Sequence, residues 1–435
     1  MSVLVRSGLG LLLSCCGGER GGPLGPPLAG SDHAISVEVT PDSLRLNLGE
    51  TGDGRCRPKN AAGEVLGRSC DWASDDPDIV TATTRTQSSR FAASRPGSTW
   101  IVARVGGVSD STRVTVLEAA RAAAACQQSG YLRQVFVSSA EQLTSALATA
   151  RPGDQIRLAD GVYRGRFVAQ TQGTAEHPIS LCGSRDAILE DNRRGYTLHL
   201  LRAEWWVMHG FTVTNGLKGV MLDWSNDNLL DSLAIHHIVG ECVHFRRHSS
   251  RNSIQRSHIH HCGEGDRYGE GVYIGSAPGN WSEYTEGQPD TAQDNRVEGN
   301  FIHDTSAEAV ESKEGTRRTV VIGNSVERTG PQRCALYGGN CGSDGADAAI
   351  ATRGGDGRFE CNDIRAPVGL RGFSIYSGGS AGDGDDNSFR WNLITMLSGG
   401  PPIGIASGQT GNTQSQNTPE GYTANCSRSA GPALK

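Results

Sequence analysis

The chain lacks the features that would tie it to nucleic acid or to a bilayer. Across 435 residues the net charge is only −6 and basic residues form no run, which argues against a nucleic-acid footprint and against a polybasic membrane anchor. Past the N-terminus no apolar stretch is long enough to span a membrane. The leucine consensus of a leucine-rich repeat is missing. No Cys/His spacing suits zinc well either: the nearest, HIHHC at 258–262, places adjacent histidines on opposite faces of a strand. What the chain has in excess is glycine, 58 residues or about twice the usual share. That excess argues for many tight turns and against long amphipathic helices.

At the N-terminus, Arg6 precedes a short apolar run, GLGLLL, that ends in SCC, the outline of a secretory signal. Leu12-Leu13-Ser14-Cys15 resembles the lipobox of bacterial lipoproteins, which implies acylation of Cys15 and a membrane link through that lipid alone. Residues 17–32 are rich in glycine and proline, as in a flexible tether, and complete a first segment, 1–32. An exported chain with twelve cysteines is expected to bridge most of them. Local spacing pairs Cys56 with Cys70, Cys126 with Cys182, Cys242 with Cys262, Cys334 with Cys341 and Cys361 with Cys426.

From 33 to 118, short alternating strands (ISVEV, LRLNL, WIVARV, RVTVLE) are separated by Gly, Pro and Asp turns, which predicts a small β-sandwich. VTPDSLRLNLGET, WASDDPDIVTAT and GSTWIVARVGGVSDSTRVTV resemble bacterial Ig-like domains. The resemblance implies a spacer or surface module without chemistry of its own.

The remainder, 126–435, opens on Ser138-Ser139-Ala-Glu141-Gln142. Both Ser138/Glu141 and Ser139/Gln142 have capping-box spacing, so a short helix is expected to begin here and stop before ARPGD. An internal repeat follows. Setting Glu204, Asn228, Asn252, Asn295, Thr319, Gly357 and Asn387 in register puts an apolar residue two positions later each time, from Trp206 and Leu230 to Phe389. Another falls seven positions later, from Phe211 and Ile235 to Ile394. The intervals are 24, 24, 43, 24, 38 and 30 residues, so a basic turn of 24 takes insertions. Asparagine recurs at one corner (Asn300, Asn324, Asn362, Asn392), where side-chain amides can stack. Two dozen residues per turn with several short strands predicts an all-β chain, a parallel β-helix behind the sandwich. The insertions at 276–294 and 329–346 are expected to flank one face.

Four segments, CVHFRR, GVYIG, AVESK and AIATR, align on Val243, Val272, Val310 and Ile350. Three positions later stand Arg246, Gly275, Lys313 and Arg353; two positions earlier stand Glu241, Glu270, Glu308 and Ala348. Stacked at a strand spacing of about 4.8 Å, they form a basic column beside an acidic one. Period-two alternation points His244, Arg246, Tyr273, Glu311, Lys313, Arg353 and Tyr376 to solvent. Arg246, Lys313 and Arg353 form a cationic stripe suited to carboxylates or sulfates along an extended polymer, with His244, Tyr273, Glu311 and Tyr376 as further substrate contacts. Carboxylates about 5 Å apart repel by roughly 3 kcal/mol per pair at an effective dielectric of 20. Glu241, Glu270 and Glu308 are therefore expected either to hold a hard cation such as Ca2+ or to pair with the neighbouring bases.

VSSAEQLTSALATARPGDQIRLADGVY, followed by GTAEHPISLCGS, resembles the opening of the alginate lyases and chondroitinase B, right-handed parallel β-helix polysaccharide lyases. EAVESK, from Glu308 to Lys313, is similar to that family's glutamate and lysine five apart. Ile350-Ala-Thr-Arg353-Gly-Gly-Asp356 is similar to its Leu-Thr-Leu-Arg-His-Gly-Asp motif, and the likeness runs from 135 to about 395. It implies a right-handed, pectate-lyase-like coil with Lys313 as base, Arg353 as acid or charge stabiliser, and Glu308 as a calcium ligand. Three positions depart from the pattern: Gly354 stands for the histidine, Ser306 for a second glutamate, and eighteen residues are inserted between the motifs. β-Elimination from a uronate removes the C5 proton beside a carboxylate, whose growing charge a cation or arginine must neutralise. The expectation is an exported, monomeric lyase of an acidic, uronate-containing polysaccharide. The alternatives are a hydrolase with Glu270 and Glu311 as acid and base, or a non-catalytic glycan-binding solenoid.

Overall fold

The structure, a computed structural model, describes residues 33–47, 51–94, 97–117, 126, 130–265, 268–331, 346–377, 383–397 and 401–426. Its contacts divide the chain into two units that part after Val116. In the first, two four-stranded sheets built of antiparallel pairs share one core. Alternation sends Val39 and Phe91 inward from one sheet and Ile101 and Val114 from the other, all essentially inaccessible to water. Trp72 sets its ring edge-on to Phe91 at 5.7 Å, and the Cys56–Cys70 bridge lies in the same cluster.

Near the start of the second unit the strand Arg133–Val137 leads into a helix, Ala140–Thr149. Of the two candidate caps Ser139 is the one used: its hydroxyl accepts from the Gln142 N–H at 3.3 Å, and the Gln142 side chain returns to accept from the Ser138 N–H at 2.8 Å. Leu143, Ala146 and Leu147 on the opposite side join the apolar core of the coil.

The coil is a right-handed parallel β-helix with walls of eleven, nine and nine strands, each turn giving one strand to each wall. The third wall runs from Phe167–Ala169 through Lys218–Asp223, Val243–Arg246, Val272–Ile274, Val310–Ser312 and Ala348–Thr352 to Ile403–Ile405. Val243 pairs with Val272, Val272 with Val310, and Val310 with Ile350, the register read from the four aligned segments. One step of the repeat falls elsewhere. Met208 pairs with Leu230 and Val213 with Ile235, so Met208 and Val213, not Trp206 and Phe211, continue the two apolar columns. A slip of two residues preserves the inward face, and Trp206 and Phe211 are fully buried all the same.

Asparagines fasten two corners. Asn300 donates to Asn324, Asn324 to Asn362 and Asn362 to Asn392, amide to amide, at 3.0, 3.0 and 2.9 Å. A second ladder runs Asn228 to Asn252 to Asn295. Each rung also binds main chain: Asn324 accepts from the Asn300 N–H at 2.9 Å and donates to the Val297 carbonyl at 2.9 Å. Disulfides Cys126–Cys182, Cys242–Cys262 and Cys361–Cys426 close as paired from spacing. Cys334, Cys341, Cys15 and the tether lie outside the described residues. Among the described residues no helix is long and apolar enough to cross a membrane.

Asn324→Ala strands two buried donors of Asn300 and removes three side-chain bonds of its own, to Val297, Ile322 and Asn362. The expected loss is roughly 2–4 kcal/mol of stability, read as a lowered midpoint in denaturant unfolding; an unchanged midpoint would show that the ladder adds nothing.

Candidate functional site

The outer face of the third wall gathers the charged residues. Strand register sets His199, Met221, His244, Tyr273, Glu311 and Ala351 in one column. On one side of it main-chain bonds stack Glu241, Glu270 and Glu308; on the other lie Arg246, Gly275, Lys313 and Arg353. Alternation gives their direction correctly, away from the core, but not their depth. His244, Arg246, Tyr273, Glu311 and Lys313 are all buried, which corrects the expectation of a solvated face: long side chains on successive turns cover one another, and the first insertion packs over the end of the row. Arg353 retains more contact with water than Lys313, 27% against 10% of the side chain.

Nor do the three bases form one stripe. Arg246 spends both donor directions on Asp223, at 2.8 and 2.9 Å, and its guanidinium lies over the ring of Tyr284 at 4.0 Å. Although burial opposes it, hydrogen bonds from Arg246 and His199 hold the Asp223 carboxyl well below its usual range. Lys313 and Arg353 instead converge on Oε1 of Glu311, at 3.0 and 3.2 Å. Lys313 also faces the ring of Tyr273 at 5.6 Å, and Arg353 lies on the ring of Tyr376 at 4.2 Å. The Tyr376 hydroxyl donates to Asp347. Gly275 breaks the basic column because its φ of 81° disfavours any side chain and a Cβ there would lie 2.6 Å from Thr316 Cγ2.

The acidic column is regrouped. Glu241 pairs with Lys218 one turn earlier, and the oxygens that converge within 4.8 Å belong to Glu270, Glu308 and Glu311. The calcium set expected from sequence therefore loses Glu241 and gains Glu311. Burial, then Glu311 and Glu308, push the Glu270 carboxyl up to about 8; burial, then Glu311, push Glu308 up to about 8. Glu270 Oε2 is buried without a hydrogen-bond partner. Three oxygen donors, one of them unsatisfied, fit a hard divalent cation.

His244 is held in one tautomer. Its Nε2 donates to the Gly275 carbonyl at 2.8 Å, leaving Nδ1 a buried lone pair without a hydrogen-bond partner. Burial, then Arg246, keep the ring neutral. Tyr273 packs edge-on against it at 4.5 Å, and burial with Glu311 keeps the phenol protonated.

Among solved structures, an alginate lyase from Paenibacillus sp. str. FPU-7 is 30% identical over 65% of this chain and 98% of its own, with a TM-score of 0.54. The chain belongs to the alginate lyase type of right-handed parallel β-helix polysaccharide lyases. A pectate lyase, Pel9A, matches over 65% of this chain and 81% of its own at 14% identity and a TM-score of 0.46. The periplasmic alginate epimerase AlgG matches over 61% and 60% at 13% identity and a TM-score of 0.41. No family model matches the chain, and no curated protein matches it in sequence.

In this alginate-lyase-type coil the position of the motif histidine is closed. A Cβ on Gly354 would lie 2.2 Å from Thr316 Oγ1 and 2.7 Å from its carbonyl oxygen. Sequence reasoning missed Lys218, Asp223 and Tyr284. The first two lie on a turn outside the four aligned segments. Tyr284 sits in the 276–294 insertion, whose aromatic residues were its only signal.

Without a cation, both raised carboxyls sit above the value of an unfolded glutamate, so their contribution to stability is present at low pH and lost as pH rises through about 8. In chelator, the melting temperature should fall from about pH 5 to about pH 9, and Glu270→Gln should flatten that fall. Added Ca2+ should stabilise more at the alkaline end, where fewer protons must leave. A wild-type melting temperature that climbs across this window would contradict the coupling.

Proposed function

We propose that this chain cleaves a uronate-containing anionic polysaccharide by β-elimination, at the point where Lys313, Arg353 and Glu311 meet. The observation that carries it is the convergence of an amine and a guanidinium on one carboxylate, beside three clustered acids. Lys313 Nζ takes the C5 proton of the uronate. Arg353, partly exposed and braced on Tyr376, neutralises the substrate carboxylate as negative charge builds; the C4–O bond breaks as the C4=C5 double bond forms, and the departing oxygen takes back the proton now on Lys313. Glu311 orients the Lys313 amine and the Arg353 guanidinium. Glu270, Glu308 and Glu311 would hold Ca2+, and the ion when bound supplies positive charge to the substrate carboxylate. Tyr196, Arg247 and Tyr284 line the wall toward its earlier turns and offer stacking and anion contacts to further sugars. Alginate is the first substrate to test, because the Paenibacillus protein similar to this chain is an alginate lyase.

The tautomer of His244 supports a second proton route. Its Nδ1 lone pair accepts a proton directly, with Tyr273 beside it as the donor to the leaving group.

The Ig-like unit is proposed as a stalk, and export is supported by four disulfides. Acylation of Cys15 would anchor the chain.

Alginate, pectate, chondroitin sulfate, dermatan sulfate and glucuronan should be assayed for new unsaturated ends by ultraviolet absorbance. Lys313→Ala and Arg353→Ala are each expected to lower the rate on the accepted polymer at least about 100-fold, measured below the melting temperature of each variant so that lost stability does not enter the rate. His244→Ala retaining most activity assigns the base to Lys313; the reverse pattern assigns it to His244. Chelation should lower the rate and Ca2+ restore it. Reducing ends without unsaturation would replace elimination by hydrolysis.

A further inference from the structure

The second wall carries six of the twelve histidines, His236, His237, His258, His260, His261 and His303, on a different sheet from the acidic cluster. Register stacks His236, His260 and His303 on successive turns, with ring centroids 4.8 and 4.9 Å apart and planes within 15°. His237 and His261 stack beside them at 4.7 Å.

Simple alternation would send neighbours such as His260 and His261 to opposite faces, the ground on which HIHHC looks unlike a metal site. The backbone breaks that rule. His237 and His261 adopt φ of 55° and 53°, at a left-handed corner that Asp304 and Arg328 continue on the next turns. Each ring is thereby brought beside its predecessor: Nδ1 of His236 meets Nδ1 of His237 at 2.7 Å, and Nδ1 of His260 meets Nδ1 of His261 at 2.8 Å. Two imidazole nitrogens this close need a proton or a cation between them. A small opening, to about 3.3 Å, matches two nitrogens on one tetrahedral ion with bonds of about 2.0–2.1 Å.

We propose that either adjacent pair, His236/His237 or His260/His261, holds one borderline transition ion (Zn2+, Ni2+ or Cu2+) through its two Nδ1 atoms, separate from the oxygen-lined acidic cluster. Imidazole suits these ions, and oxygen donors suit Ca2+. The pairs lie one turn apart, about 4.8 Å, where two unbridged divalent ions on neutral imidazoles would repel each other strongly, so the site takes one. Glu264 stands 3.7 Å behind Nε2 of His237, itself held by Arg193 at 3.1 Å, the kind of carboxylate backing that raises the basicity of a histidine ligand. The third pair, His258 and His303, has Nε2 atoms 2.8 Å apart. It is excluded because Nδ1 of His303 already faces Asp304 at 2.5 Å and the Arg328 guanidinium at 3.1 Å, a fixed positive charge beside any ion. Cys262 is closed in its bridge to Cys242 and supplies no ligand.

The test is equilibrium dialysis of the full chain against Zn2+ with Ca2+ in excess, so that the acidic cluster does not compete. One Zn2+ per chain at micromolar concentration is expected. His237→Asn and His261→Asn, chosen because asparagine tolerates the left-handed corner, should each leave one ion bound through the other pair. The double variant should lose at least tenfold in affinity with its melting temperature unchanged. Bound Cu2+ should show nitrogen hyperfine splitting that the double variant lacks. A chain that retains no Zn2+, or a double variant that binds it as the wild type does, overturns the proposal.

Discussion

Side-chain amides bonded end to end along the coil axis are the constraint on which the rest depends. Asn324 accepts from Asn300 on one turn and donates to Asn362 on the next, and the chain of carboxamides satisfies buried groups that would otherwise cost about 1–3 kcal/mol each. With that corner fixed, one turn cannot slide against its neighbour. Every wall inherits the register. The stacking that aligns Val243, Val272, Val310 and Ile350 inside the coil therefore also aligns glutamates and bases outside it.

Aligned like charges are costly, and the third wall resolves them in two ways. Arg246 and Asp223 neutralise each other, and Lys218 takes Glu241; here each charge has an opposite charge beside it. On the next two turns, Glu270, Glu308 and Glu311 are packed together, with Lys313 and Arg353 both on Glu311. The Glu270 and Glu308 carboxyls, both pushed up to about 8, mark this end of the row as electrostatically unfinished, and perturbed titratable groups cluster where function lies. The division between a charge-paired half and a half with excess carboxylate is set by which turn carries Asp223 and which carries Gly275.

The columns themselves were legible because a stacked coil converts sequence spacing directly into neighbourhood. Lys313 beside Arg353, and Glu270 beside Glu308, follow from alignment on single apolar residues. Burial was not legible, since alternation gives a side chain's direction and says nothing of what covers it. Glu311 was placed with substrate contacts because its own column was read apart from the glutamates two positions earlier in each strand. The turn before Leu230 is two residues shorter than the repeat suggests, an error that parity conceals: Trp206 and Phe211 remain inside. The histidine pairs escaped for a different reason, because a left-handed φ at a non-glycine residue has no reliable mark in sequence.

The contact between Gly354 and Thr316 binds two distant positions of the chain into one unit. Thr316 closes the bend behind Lys313 by donating its hydroxyl to the Lys313 carbonyl at 2.7 Å, and that same hydroxyl occupies the volume a side chain at 354 would need. A histidine grafted into the arginine motif would thus have to arrive with a smaller residue at 316, and the bend that carries the amine would lose its clasp. Substitutions at these two places can only be exchanged together.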